Sequence, residues 1–326
     1  MRNYVKLFPV VCFLLIYNGT TAQSTPSDQQ LLINDMLLVA DNFAAPGAEG
    51  AAIQSSAGWF SSASAMDEWT IEFSVHGNAL FIPKSKQNKV SSNSDFSILT
   101  LQGGSNALLP TVFGGDSDAV FEGSIFGQNF SFDAIEGLDK KVLIHPFPQV
   151  TVGLPYGTEI AARYLPSIII NDVGFSTYGI GLKHNFTQYY ERRFNPEDFQ
   201  FAAVVTYSNF KVDYAFIPVD IQIAELNRID VNANLWLAQL MGSKLYDTFE
   251  VFGAVGVTNS NFDYEMGGSG PGLGLLNESL TAIGGNEAKF KGDIGFNYYF
   301  DNFKVSTMFT AGSLFNANIG LHYRIK

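Results

Sequence analysis

Residues 288–300 read AKFKGDIGFNYYF, and the alternation in that stretch decides the fold. Its even positions are Ala288, Phe290, Gly292, Ile294, Phe296, Tyr298 and Phe300; its odd ones are Lys289, Lys291, Asp293, Gly295, Asn297 and Tyr299. Side chains alternate across a strand, so this strand has one apolar face and one charged face. Asp301-Asn302 supplies a tight turn, after which Phe303, Val305, Thr307, Phe309 and Ala311 alternate with Lys304, Ser306, Met308 and Thr310. The last strand sets Phe315, Ala317, Ile319, Leu321, Tyr323 and Ile325 against Asn316, Asn318, His322, Arg324 and Lys326. Two folds fit this pattern. A soluble sandwich turns the apolar face inward, whereas an outer-membrane barrel turns it to lipid and keeps the charges for its lumen.

The other end of the chain chooses between them. Arg2 and Lys6, the apolar run Leu7 to Tyr17 and the small residues Thr20-Thr21-Ala22 read as a secretory signal over 1–22, with Gln23 the first mature residue. Cys12 is the only cysteine and follows Val11, so the mature chain has no thiol for a disulfide, a lipid anchor or a thiolate metal site. No later apolar run approaches the ~18 residues of a spanning helix, which leaves closed strands as the only way through a membrane. Composition agrees: 14% aromatic residues, with 29 Phe and 14 Tyr, suit a lipid-facing band. The net charge of -12 argues against a nucleic-acid partner.

Ahead of the strands, residues 23–66 read as a short helical plug. Ser27 caps a helix through Leu31, Ile33, Met36, Leu37 and Phe43 that stops at Ala44-Ala45-Pro46-Gly47, and a small-residue stretch then carries Trp59 and Phe60. The barrel occupies 67–326. Its strands read as Trp69–Phe81, then 149–154, 158–165, 174–186, 199–208, 210–216, 229–241 and 246–257 ahead of the final three, with an irregular insertion at 84–147. Bacterial barrels have an even strand number with both ends in the periplasm, so these eleven imply a twelfth near Ala119–Phe132; fourteen is the alternative. Turns are expected at Pro155-Tyr156-Gly157, Ser208-Asn209, Gly242-Ser243-Lys244 and Asp301-Asn302, and a long external loop at 259–287.

Ala57-Gly58-Trp59-Phe60, Leu109-Pro110-Thr111-Val112-Phe113-Gly114, the run Pro148 to Glu159 and Gly179-Ile180-Gly181-Leu182-Lys183-His184 resemble an uncharacterised family of outer-membrane barrels from Gram-negative Bacteroidota, a domain of unknown function. The resemblance implies fold and location and carries no activity. A helical N-terminal plug before a barrel is more loosely similar to long-chain fatty-acid transporters, in architecture alone.

Catalytic patterns are sparse. His76 and His322 fall on the lumen phase, His184 on the apolar phase and His145 in the loop before Pro146, none at metal-ligand spacing. Ser176 lacks a nucleophile-elbow context, and the glycines of 267–274 lack the lysine of a phosphate loop. No catalytic residue, metal or cofactor is expected. The lumen-lining candidates are Glu72, His76, Glu159, Arg163, Glu250, Lys289, Lys291, Asp293, His322 and Arg324, with Lys211, Asp213 and Asp230 on the same phase. Both charge signs occur, unlike the one-signed ring of a charge-selective pore. The expectation is an outer-membrane channel or transporter for a small solute, apolar ones included, partnered by outer-membrane lipid and the barrel-assembly machinery. The alternative is a non-transporting structural or anchor protein acting through its external loops.

Overall fold

The computed structural model describes residues 27–325, apart from 171–172, 191–198 and 282–284. The signal stretch, Cys12 and residues 23–26 lie outside this range. Ten strands form one closed antiparallel barrel: β1 (Ile71–Phe81), β2 (Val142–Leu154), β3 (Thr158–Ile170), β4 (Val173–Asn185), β5 (Gln200–Asp220), β6 (Glu225–Tyr246), β7 (Phe249–Ser269), β8 (Asn286–Phe300), β9 (Phe303–Ala311) and β10 (Phe315–Ile325). The ring closes where β1 pairs with β10, from Ile71 opposite Ile325 to Phe81 opposite Phe315. Phe290, Ile294, Val255, Leu240, Ile319 and Leu321 stand exposed on the outer face, while Lys291, Asp293, Asn316, Asn318 and His322 are buried inside. The barrel therefore has the inverted polarity expected from the alternation.

Ten strands replace the twelve, or fourteen, expected. Ser208 and Asn209 are not a turn: they lie inside the 21-residue β5, where both are buried and Asn209 donates to the Ala233 carbonyl and the Asn234 side chain of β6. Merging those two segments makes ten of the eleven, so the count is even without a twelfth. Residues 119–132 belong to a small sheet outside the ring. Gly242-Ser243-Lys244 also lies within a strand, and the turn falls at Asp247-Thr248. The 259–287 segment is strand as far as Ser269, followed by the helix α2 (Leu273–Leu280). Strand β2 begins at Val142, seven residues before Gln149, where the strand was expected to start, so the irregular insertion ends at 141 and not at 147.

At one end of the barrel lie the turns at 155–157, 247–248 and 301–302, the start of β1 and the end of β10. At the other end lies the insertion, residues 82–141, which carries a two-stranded and a three-stranded sheet. Strands β5, β6 and β7 have 21, 22 and 21 residues, about twice the ~10 that cross a membrane. They project past their neighbours at the insertion end.

The helix α1 (Asp28–Ser56) fills the lumen. Ser27 caps it, accepting from the Gln30 N–H at 3.3 Å, but the expected stop at Pro46 does not occur. Proline in a helix interior leaves nearby carbonyls without their usual donors. Here the Phe43 carbonyl accepts instead from the Val112 N–H at 2.9 Å, so the insertion completes the helix it packs against. Space is tight: a Cβ on Gly47 would lie 2.7 Å from Val112 Cγ1, and one on Gly50 2.6 Å from Leu80 Cδ2. Leu32, Ile33 and Met36 pack with Leu99, Phe121, Ile221 and Leu276 at the insertion end. Ala48 and Ala52 meet Phe210, Ala233, Leu235 and Phe262 midway, and Trp59, Phe60 and Ala63 meet Ala161, Val204, Leu237, Met241 and Phe252 toward the turn end. Residues 28–66 thus run the length of the barrel before the chain turns into β1.

Candidate functional site

Every lumen-phase candidate from the terminal strands faces α1 or the segment that follows it. Toward the turn end, Glu72 accepts from Lys304 Nζ at 3.2 Å, His322 Nδ1 at 2.7 Å and Arg324 Nε at 2.7 Å. Lys183 pairs with Glu159 at 2.9 Å and donates to the carbonyls of Ser62 and Ser64, both at 2.7 Å. Glu250 is held by neutral donors: Ser62 Oγ at 2.6 Å, Asn297 Nδ2 at 2.7 Å and Tyr299 Oη at 2.5 Å. Higher up, Lys291 bridges Asp293 at 3.1 Å and the Ser56 carbonyl at 2.9 Å. His76 bonds Asn318 and Ser74. The polar lumen is therefore the seat of the plug, its charges spent on each other and on the plug backbone.

On the helix itself, Glu49 receives Lys86 at 2.6 Å and Lys289 at 2.9 Å. Asp35, which sequence reasoning missed, accepts the backbone N–H groups of Ser97, Ile98 and Leu99 at 2.6–3.0 Å and ties the insertion to the helix. A buried aspartate inside an apolar helical run was the available signal. Of the expected plug residues, Met36, Trp59 and Phe60 are buried and Leu31 and Leu37 half-buried. Lys211, Asp213 and Asp230 do not line the lumen. They lie on the outward phase of the projecting strands, where Phe210, Val212 and Tyr214 take the inward positions, and Asp230 pairs with Arg228.

Among the buried side chains with unpartnered polar atoms, Arg163 and His145 line one small space. The Arg163 guanidinium lies between Trp59 and Phe147, its Cζ 3.9 and 4.1 Å from their ring centroids. Its Nε donates to Gln149 at 2.7 Å and one Nη to the Ser55 carbonyl, while Nη2 has no partner and no carboxylate pairs with it among the described residues. His145 is 5% exposed and neither ring nitrogen has a hydrogen-bond partner. It belongs to β2, facing inward, and not to a loop; its ring meets Phe175 at 4.4 Å.

Beside them the wall is unzipped. β2 pairs with β3 only from Gln149 opposite Arg163 to Leu154 opposite Thr158, whereas it pairs with β1 from Val142 onward. Residues 142–148 of β2 and 164–170 of β3 thus face each other across an unpaired seam. Proline causes much of this. The N–H and C=O of Gly153 both bond toward β1, so alternation turns the even residues, Pro146 and Pro148, toward β3 without an N–H to give. Pro166 sits in a bulge of the β3–β4 ladder on the other side.

An apolar cavity of about 110 Å³ lies behind the seam, lined by Phe43, Ala44, Gly47, Ala48 and Ala51 of the helix, Val112 and Phe113 of the insertion, and Leu143, Ile144, His145, Phe175, Phe210 and Tyr214 of the wall. Ile144, one of the lining residues, is outward-facing and 64% exposed, so the cavity reaches the outer surface beside β2. Deeper in the lumen, around Arg163 and around Trp59, the spaces shrink to about 10 and 20 Å³, room for a water or two.

These features define the class: a closed ten-stranded antiparallel β-barrel occupied by its own N-terminal helix, with an apolar cavity opening beside a seam in its wall. The chain belongs to the family of unknown function DUF6588, whose model matches residues 1–325. No curated protein matches it. Among solved structures it is similar to the translocator domain of the autotransporter NalP from Neisseria meningitidis (8% identity, 89% of this chain and 98% of that one, TM-score 0.37). It is also similar to the β-domain of the Bordetella autotransporter BrkA (8%, 79% and 99%, TM-score 0.38) and to the outer-membrane protein OprG from Pseudomonas aeruginosa (10%, 80% and 98%, TM-score 0.30). The barrel is established by its own strand pairing and not by these likenesses.

Proposed function

We propose that this is an outer-membrane barrel of a Gram-negative cell that binds a small apolar solute between its plug helix and its wall, and that it is a binding and transfer protein without a catalytic step. The observation that carries this reading is the cavity: an apolar space in a lumen otherwise committed to ion pairs and plug contacts. Outer-membrane placement is supported by the exposed Phe, Ile, Leu and Val of the outer face and by the signal at 1–22. Lipid and the barrel-assembly machinery are then the necessary partners. Axial passage requires the helix to shift, because the spaces beside Trp59 and Arg163, about 20 and 10 Å³, let no whole solute through. That same packing favours the second reading, a sealed barrel presenting its insertion as an anchor.

Binding separates the two. N-phenyl-1-naphthylamine, an apolar probe that brightens when it leaves water, should bind the purified protein. Ala51→Phe, which puts a ring into the cavity, should abolish binding while the barrel still folds. Absence of probe binding to the wild-type protein would shift the weight to the anchor.

A further inference from the structure

We infer that the solute is an anionic amphiphile with a single apolar chain, its carboxylate held by Arg163 and His145 and its chain lying in the cavity toward the seam; this rests on the proposed binding reading. The first observation is a cation without a counter-charge. Lys183, Lys291 and Lys304 each have a carboxylate within 3.2 Å, but Arg163, equally buried, has only neutral acceptors. Removing a guanidinium from water costs several kcal/mol, and aromatic faces recover part of that. Here both faces are covered, Nε and one Nη are engaged, and Nη2 is buried without an acceptor. A carboxylate that displaces the water or two this space holds would supply one.

The second observation is His145, which lines both the apolar cavity and the small space that contains Arg163, and whose ring nitrogens are both unused. Buried polar groups in native proteins have partners, so two adjacent groups with unspent donors call for a bound acceptor. The third is geometry. Arg163 is paired with Gln149 at the last position before the seam opens, so an amphiphile whose head reaches Arg163 has its chain beside Leu143, Phe175 and Phe210 and its far end at the outer surface. A neutral alkane uses the cavity and leaves the two polar groups unsatisfied. A cationic amphiphile is repelled by Arg163.

Displacement of N-phenyl-1-naphthylamine from protein held in amphipol tests this, with dodecanoate, dodecan-1-ol and dodecyltrimethylammonium as competitors. Dodecanoate should displace the probe at about tenfold lower concentration than either of the others, the scale of one charge-assisted hydrogen bond. Arg163→Met, which keeps the bulk and removes the charge, should bring dodecanoate to parity with dodecan-1-ol. Equal displacement by all three competitors of the wild-type protein overturns the inference even if the variant does not fold. Loss of probe binding altogether overturns the underlying reading instead.

Discussion

Phe296 and Asn318 show what a side chain's place in the barrel implies. Phe296 stands on the outer face of β8, so Phe296→Arg should destabilise the protein in a bilayer by about 2–4 kcal/mol if it lies near mid-membrane. Alternation alone makes Asn318 a lumen position where an arginine is tolerated. The structure reverses that second expectation. Asn318 bonds Asn78 and His76 and presses so closely on Gly58 that even a Cβ there would lie 2.8 Å from its Nδ2, which leaves little room for a longer group. Asn318→Arg should therefore cost about 3 kcal/mol or more, by burying an unpaired charge in a filled space. Unfolding of both variants and the wild type in lipid vesicles by denaturant titration checks this; a stable Asn318→Arg protein would mean that the lumen is not packed. The facing of Glu72, Arg163, Lys291 and His322 was legible because strand parity is unambiguous over long alternating runs. His145 was not: Pro146 and Pro148 beside it signal a loop, and only the structure shows a strand whose prolines face an unpaired neighbour.

At the scale of elements, the same prolines explain both what was misread and what the wall does. Gly, Asn, Ser and Pro normally punctuate strands, and Ser208-Asn209, Gly242-Ser243 and Pro46 were read as breaks on that basis. Each is overridden by a tertiary partner: the side-chain ladder from Asn209 to β6, the β6–β7 pairing through Gly242, and the Val112 N–H that serves the Phe43 carbonyl. Pro146 and Pro148 are not overridden, and the seam follows. A membrane-embedded strand edge is costly where N–H groups go unpaired, and proline removes two of those donors. The seam should be the route between cavity and bilayer. Because the described residues contain no cysteine, Pro148→Cys with Tyr164→Cys, the next positions beyond Gln149 and Arg163 in register, can close it on oxidation. The oxidised protein should take up N-phenyl-1-naphthylamine at least tenfold more slowly than the reduced one, a change of about 1.4 kcal/mol in the barrier. Equal rates would place the way in elsewhere.

Across the whole molecule, the helix and the barrel are one folding unit. Lys183 and Lys291 donate to plug carbonyls, and Glu49 on the helix takes two lysines, so removing residues 23–64 would strand buried charges on the wall. Fold class and the inside-out polarity could be read from the sequence because they follow from periodicity. That the helix would run the full barrel length, with its first turns under the insertion, could not, since it depends on contacts between residues separated by scores of positions. The central claim is that this helix occupies the lumen and closes it. A lock tests that without deleting anything: the Ala63 N–H donates to Ser243 Oγ at 3.1 Å, so Ala63→Cys with Ser243→Cys joins the plug to β6. The measurement is ion current through this variant in a planar bilayer, oxidised and then reduced. The account predicts a silent protein when oxidised, with any channel openings confined to the reduced form. A steady open-channel current through the oxidised protein would contradict it.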